Sequence, residues 1–354
     1  MSTLAQAQSR AGHRVIVAPT LSNLGEGESF LASLASTSVE VIPLAVPGRG
    51  YATEYRLIRK LIADKHVNVV HTHGYRSDLI GGHAGKQAGV PVVTTVHGFT
   101  GGSIKNRLFE ALQRRVFRRF DAVVVVSKPQ ADLLRESGVP ESRIQLIANA
   151  LSAHPSPLDR DAARVALQLP PWGLVAGWIG RVSHEKAVDV FIDALSSISD
   201  RVISAAIIGD GPERASQQAR AEALAPGRFQ WLGALPDASR YYAAFDVFVM
   251  SSRAEGLPMV LLEAMAARIP IVATAVGGIP DLLSAEEGVL VPPGDTKALA
   301  SAIRATIDDP AAAFARAQAA QRRQRADFDV EPWSARYEAL YHHLLGARAK
   351  ASGR

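Results

Sequence analysis

The sequence has no cysteine. That excludes a disulfide scaffold, thiolate zinc, a cysteine-ligated iron–sulfur centre and a cysteine nucleophile. No stretch reaches the ~20 apolar residues that a membrane-crossing helix needs. The first ten residues, MSTLAQAQSR, lack the basic head and apolar core of a secretory leader. A cytoplasmic location is the expectation. No Gly-x-Gly-x-x-Gly turn follows a strand with an acidic residue beyond it, which argues against a dinucleotide dehydrogenase.

An opening strand is missing too. A doubly wound domain normally starts with a central strand and a Gly-rich turn before its first helix. This chain opens inside what reads as that helix, residues 3–12, and a strand at 14–18 follows directly. Removing a central strand removes several buried apolar side chains at ~1.5–3 kcal/mol each. That loss is comparable with the ~5–15 kcal/mol that stabilises a domain. Either the start is truncated or something else fills the slot.

What is present reads as an α/β protein. At 354 residues and 47% apolar, the chain is too long for one ordinary core and too apolar for disorder. Val/Ile-rich runs without alternation, the pattern of strands buried on both faces, fall at 14–18, 39–43, 67–71, 92–96 and 122–126. A Pro/Ser-rich pause follows. The runs resume at 174–179, 202–208, 228–232, 247–250, 271–274 and 288–291, and helical segments at 298–307, to about 325, and at 332–345 close the chain. Two Rossmann-like, doubly wound domains facing a cleft are expected, the first lacking its first strand. The boundaries read as 1–152, a linker at 153–171, a second domain at 172–325, and a final helix, 326–354, crossing back to the first domain.

Ligands of open parallel sheets bind beyond the carboxyl ends of strands. His71-Thr-His73-Gly, His97-Gly98-Phe99 and Ser127-Lys128 follow strands in the first half. Gly180-Arg181, Gly209-Asp210-Gly-Pro-Glu213 and residues 251–256 do so in the second. Glycine at one turn needs only a structural reason. The same polar, basic and Gly-rich chemistry after six strands points to a binding edge.

The strongest signal is Glu255-Gly256-Leu257-Pro258-Met-Val-Leu-Leu-Glu263. Pro258 reads as the first helical residue, so the free N–H groups of the helix start offer an anion site. Glu255 ahead of the helix and Glu263 two turns in suit diols at the two ends of a nucleotide sugar. Glu263 lies among apolar neighbours and reads as facing a site, not bulk water. Arg181 and Lys186 add a planar fork and a point charge for a diphosphate.

These segments, with Ile208-Gly-Asp-Gly-Pro-Glu-Arg214, Thr95-Val-His-Gly98, residues 275–280 and Leu290-Val-Pro-Pro-Gly-Asp295, run in order from about residue 10 to 345. They resemble glycosyltransferase family 4. The resemblance implies a GT-B fold and a retaining, metal-independent hexosyl transfer. The co-substrate would be a UDP- or GDP-sugar, with no other cofactor. The acceptor would be a glycan or lipid-linked molecule in bacterial surface polysaccharide or glycolipid synthesis.

It further implies that Arg181 and Lys186 hold the diphosphate, Glu255 the sugar hydroxyls and Glu263 the ribose. Gly256, Leu257 and Pro258 cap the phosphate, while Gly209, Asp210 and Leu235 line the base pocket. His97 acts near the reacting centre, with His73, Gly98 and Phe99 on the acceptor side. His97, Glu255, Arg181 and Lys186 are thus the catalytic candidates. Alternatives are a GT-B sugar-nucleotide epimerase and a truncated, inactive binding protein. Two residues depart from the family pattern: Ala150 and Ala187 stand where glycine is usual, and both raise the question of altered φ angles.

His71 and His73 read as pointing to opposite faces of a strand end, with no acidic third ligand nearby, so no metal is expected. Residues 104–120 form an amphipathic helix. Ile104, Leu108, Leu112, Val116 and Phe120 recur every four residues and are expected to pack on the first domain's sheet. Lys105, Arg107, Arg114, Arg115, Arg118 and Arg119 occupy much of the rest, against the single acid Glu110. That surplus equals the whole chain's +5. Each basic residue is worth ~1 kcal/mol near an anionic bilayer, so peripheral docking on the inner membrane is expected. No stacking aromatics accompany the charges, and nucleic acid is not expected as a partner.

Overall fold

Runs of valine and isoleucine covered on both faces build two separate parallel-sheet units. The computed structural model describes residues 1–21, 31, 34, 37–46, 48, 50–97, 104–151, 156–200 and 202–352, with the backbone alone at 104–108, 351 and 352. One unit comprises Met1–Ala148 with Val330–Arg354, the other Asn149–Asp329.

In the first unit, β1 (Ile16–Val17) pairs in parallel with β3 (Glu40–Val41), and β2 (Thr20–Leu21) with β4 (Leu44–Ala45). A separate parallel sheet contains β5 (Val70–His73), β6 (Val92–Val96), β7 (Ala122–Val125) and β8 (Ile144–Leu146), in that order. β6 and β7 are buried throughout. Phe117, Phe120 and Leu134 pack with Val92, Val123 and Val125. β1 and β5 belong to different sheets, and among the described residues no strand pairs with both. The helix Val330–Ser352 packs against Ser2–Arg10 and buries Tyr337.

The second unit has one six-stranded parallel sheet. Its strands are β9 (Leu174–Ile179), β10 (Ile203–Ile208), β11 (Phe229–Gly233), β12 (Val247–Met250), β13 (Ile271–Thr274) and β14 (Val289–Val291). Their order is β11-β10-β9-β12-β13-β14, so the chain reverses direction across the sheet beside β9. The helix Val188–Ser197 lies in this core through Val188, Phe191, Ile192 and Leu195.

Three expectations need correction. Residues 156–171 are no linker. The helix Arg160–Ala166, whose Asp159 cap accepts from the Ala162 N–H at 2.8 Å, belongs to the second unit. Its Arg164 is buried, donating to the carbonyls of Ala244, Pro170, Pro171 and Gly173 and to Asp246. A guanidinium with its donors so fully used anchors a segment. The basic helix, Ile104–Phe117, buries the stripe spaced by four only in part: Leu112 is 44% exposed, Val116 is half-buried against the sheet core, and Phe120, in the turn beyond the helix, is buried with Phe117 and Gln113. Finally, Pro258 is the N-cap and not the first helical residue, the helix running Met259–Ala266.

Candidate functional site

In the second unit the carboxyl ends of β9 and β12 bring two of the expected residues into contact. Lys186 Nζ donates to both carboxylate oxygens of Glu255, at 2.7 and 2.8 Å. Ser252 Oγ donates to the same carboxylate at 2.7 Å. The Glu255 side chain is 5% exposed and that of Lys186 27%. Arg181 is exposed on the same turn.

The backbone around Glu255 is tightly fitted. Gly277 has φ +55°, and a Cβ there would lie 1.8 Å from the Glu255 carbonyl oxygen. The Gly278 N–H donates to Gly256 O at 2.8 Å, and Asn149 Nδ2 to Leu257 O at 3.3 Å. The 275–280 motif is therefore the support behind the Glu255 turn. Pro258 then caps the helix Met259–Ala266. The Leu261 N–H turns back to Pro258 O at 3.2 Å, and the N–H groups of Met259 and Val260 have no partner within the helix. Glu263 is half-buried and accepts from Tyr242 Oη at 3.2 Å, and the same hydroxyl lies 2.8 Å from Val260 O. Burial pushes the Tyr242 phenol well above its ordinary pKa, with the Glu263 charge adding to the effect.

Around β10 and β11, the Gly209 N–H donates to Gly233 O at 2.7 Å. The Asp210 carboxylate accepts from the Gly211 N–H at 2.7 Å and from Arg214 at 3.0 Å. Those two bonds, the backbone one first, hold it below the usual carboxylate range. Leu235 is half-buried on the loop after β11. Of the two departures from glycine, Ala187 is left-handed at φ 52°, whereas Ala150 is not among the non-glycine residues with positive φ.

The first unit gathers three histidines at the ends of β5 and β6. His71 stacks on His73 at 4.4 Å between centroids, and His73 on His97 at 5.8 Å. The expected opposite orientation of His71 and His73 is wrong, because residues two apart on a strand share a face. His71 uses both ring nitrogens, Nδ1 with Tyr341 Oη at 2.6 Å and Nε2 with Thr95 Oγ1 at 2.8 Å. Thr95 Oγ1 also lies 3.2 Å from Tyr337 Oη. Burial, then the neighbouring His97, lowers His71 to about 3. Burial, then His71, also holds His73 well below the ordinary imidazole value. Gly98 and Phe99 lie outside the described residues.

Along the basic helix, Arg115 and Arg119 are exposed, and Arg114 is half-buried. Arg118 Nε instead donates to Ser137 O at 2.8 Å. The side chains of Lys105 and Arg107 lie outside the described residues.

Several contributors were not foreseen from the sequence: Ser252, Arg253, Asp189, Gly277, Tyr242, Tyr337 and Tyr341. Ser252, Arg253 and Gly277 lie in segments already singled out, and Ser252 acts on Glu255 only three residues on. The contacts of Arg253, Asp189, Tyr242, Tyr337 and Tyr341 are with partners distant in the chain.

Residues 1–153 match the family described as Glycosyltransferase Family 4, and residues 173–309 the one described as Glycosyl transferases group 1. The lipopolysaccharide core biosynthesis mannosyltransferase LpcC of Rhizobium leguminosarum bv. viciae is 33% identical over 253 residues, 69% of this chain and 70% of that one. The 2-deoxystreptamine glucosyltransferase of Streptomyces kanamyceticus is 30% identical over 298 residues, 78% and 77% of the two chains. Among solved structures, Anabaena HepE in complex with UDP and glucose superposes with a TM-score of 0.82 at 22% identity, covering 97% of this chain and 94% of that one.

The fold, the motif geometry and these matches define a glycosyltransferase with the GT-B fold. The chain belongs to glycosyltransferase family 4.

Proposed function

We propose that this chain transfers a hexose from a UDP- or GDP-sugar to a glycan or lipid-linked acceptor of a bacterial surface polysaccharide or glycolipid, with retention of configuration and without a metal. The observation that carries the reading is the convergence of Lys186 and Glu255 at the turn leading into the Pro258 helix start. Breaking a sugar–phosphate bond builds negative charge on the leaving diphosphate. Arg181, Lys186 and the helix N–H groups are the preorganised positive groups such charge needs, the kind of electrostatics that often dominates catalysis. With these cations in place, a divalent ion has no necessary role. Glu255 takes the donor sugar hydroxyls and Glu263 the ribose. His97 and His73 serve the acceptor side.

The nucleotide reading is supported by HepE, solved with UDP and with UDP-glucose. The surface-glycan reading is supported by LpcC and by the putative teichuronic acid biosynthesis glycosyltransferase TuaC of Bacillus subtilis. Exposed Phe109, Leu112 and Arg115 on the basic helix and Arg119 in the turn after it support docking on an anionic inner-membrane surface. Among the described residues no helix is long and apolar enough to cross a membrane.

A thermal-shift screen with UDP-, GDP- and ADP-sugars tests the donor assignment, since stabilisation follows RT ln(1 + [L]/Kd). One nucleotide class should raise Tm, and NMR of the product should show the donor's anomeric configuration. No shift with any donor would overturn the reading. Donor converted to its epimer without an acceptor would favour an epimerase.

A further inference from the structure

The Lys186–Glu255 pair cannot by itself hold the proposed site together, because a bound donor competes for both groups. A second fastening lies beside it. Arg253, two residues before Glu255, reaches both flanks of Lys186. Its N–H donates to Glu185 O at 2.8 Å, and its Nη1 to His184 O at 3.0 Å. Its guanidinium forks onto Asp189, Nη1 to Oδ1 at 2.9 Å and Nη2 to Oδ2 at 2.6 Å. Asp189 stands in the first turn of Val188–Ser197, directly beyond the left-handed Ala187. The turn bearing Lys186 is thus held at residues 184, 185 and 189 by one side chain and one amide of the turn bearing Glu255. No ligand group need displace these bonds.

We propose that Arg253 and Asp189 are positioning residues: their fork holds the Lys186 turn against the Glu255 turn, and so presets Lys186 for the donor diphosphate. The inference rests on the donor reading above. Burial alone would raise the Asp189 carboxyl, but the Arg253 bond and charge, together with the backbone N–H groups of Val190 and Asp189, outweigh it and hold the group below its ordinary range. A fork fixes orientation as well as distance, which a lysine in its place does not.

The test is calorimetric binding of UDP and GDP to the full chain and to Arg253→Gln, Asp189→Asn, Arg253→Lys, Lys186→Met and the double variant Arg253→Gln/Lys186→Met. Circular dichroism and Tm verify folding. Arg253→Gln and Asp189→Asn should each weaken the nucleotide that binds the parent by about tenfold, the scale of a modest misplacement. Arg253→Lys should recover part of that loss. Because Arg253 acts through Lys186, the double variant should bind no more weakly than Lys186→Met alone. An unchanged Kd in Arg253→Gln and Asp189→Asn, or losses that simply add in the double variant, overturns the positioning role. Should Lys186→Met bind like the parent, or the parent bind neither nucleotide, the donor reading itself fails, and this inference fails with it.

Discussion

Lys186 Nζ sits between the two carboxylate oxygens of Glu255, 2.7 and 2.8 Å away, so the groups assigned to opposite parts of one donor hold each other. Glu255 is nearly buried, and apart from Lys186 its carboxylate accepts from Ser252 Oγ. Removing the cation leaves a desolvated charge with one hydroxyl donor.

Lys186→Ala is therefore expected to lose stability as well as transfer. Breaking a fully buried pair costs ~3–5 kcal/mol, and partial exposure of Lys186 lowers that to about 1–3 kcal/mol. Arg181→Ala, at an exposed position, should cost less than ~0.5 kcal/mol while still losing most turnover. Urea unfolding of both variants checks the difference. Adding Glu255→Gln to Lys186→Ala should restore part of the lost stability and none of the activity.

Two residues in the left-handed region behave oppositely. Ala187 is buried at φ 52°, ψ 46°, with its Cβ accommodated. Left-handed backbone costs an L-residue about 1–2 kcal/mol, and glycine's unfolded-state entropy offsets ~0.5–1 kcal/mol of that. Ala187→Gly should stabilise by about 0.5–1 kcal/mol, measured as a higher urea midpoint at unchanged m.

Gly277 offers no such room. Its Cβ would meet the Glu255 carbonyl at 1.8 Å, a backbone atom that no side-chain rotation can move away. Gly277→Ala should displace the Glu255 turn and lower stability by more than ~2 kcal/mol. A variant with parental Tm and parental nucleotide affinity would contradict this account of the 275–280 motif.

How much of this was legible follows from the range of each interaction. Residues 92–96, 174–179, 247–250 and 271–274 read as strands to the residue, because hydrophobic runs record burial on both faces. Two-residue strands such as Thr20–Leu21 are too short to leave a pattern. Glu255, Lys186 and the helix start were visible because their motifs are local. Arg164 sits in the stretch that reads as a linker, and its carbonyl partners, on residues 170, 171, 173 and 244, leave no sequence signal. Arg253 and Asp189 are 64 residues apart, and only the fold joins them. The histidine pair differs for another reason: residues two apart on a strand share a face, so the spacing itself puts His71 beside His73, against the expected opposite orientation.

His71 gives a pH prediction. Its native pKa, about 3, lies below the ordinary 6.5 because burial disfavours the imidazolium. Below pH 6.5 the unfolded chain takes up a proton that the native state refuses, so stability from the neutral ring is complete above 6.5 and is lost as pH falls towards 3. His71→Phe removes this loss together with the bonds to Tyr341 and Thr95. The parent should be the more stable near pH 7, and its advantage should narrow towards pH 4, read by urea unfolding across that range. An advantage that widened on acidification would contradict the burial of a neutral ring.

The basic helix and the turn that follows it contain two kinds of arginine. Arg118 donates to Ser137 O and packs beside Gly138, so it fastens the end of this helix to the turn after Lys128–Glu136. Arg115 and Arg119 are exposed, next to the exposed apolar surface of Leu112. Arg118→Ala should lower Tm and leave vesicle binding nearly unchanged. Arg115→Glu/Arg119→Glu should leave Tm within a few degrees and reduce co-sedimentation with phosphatidylglycerol vesicles. Reversing two charges near such a surface removes about 1 kcal/mol per lost cation and adds repulsion, a loss of binding of roughly tenfold or more per position. Co-sedimentation that ignored both substitutions, or that was equal on phosphatidylcholine alone, would remove the membrane from the proposed function and leave the site chemistry untouched.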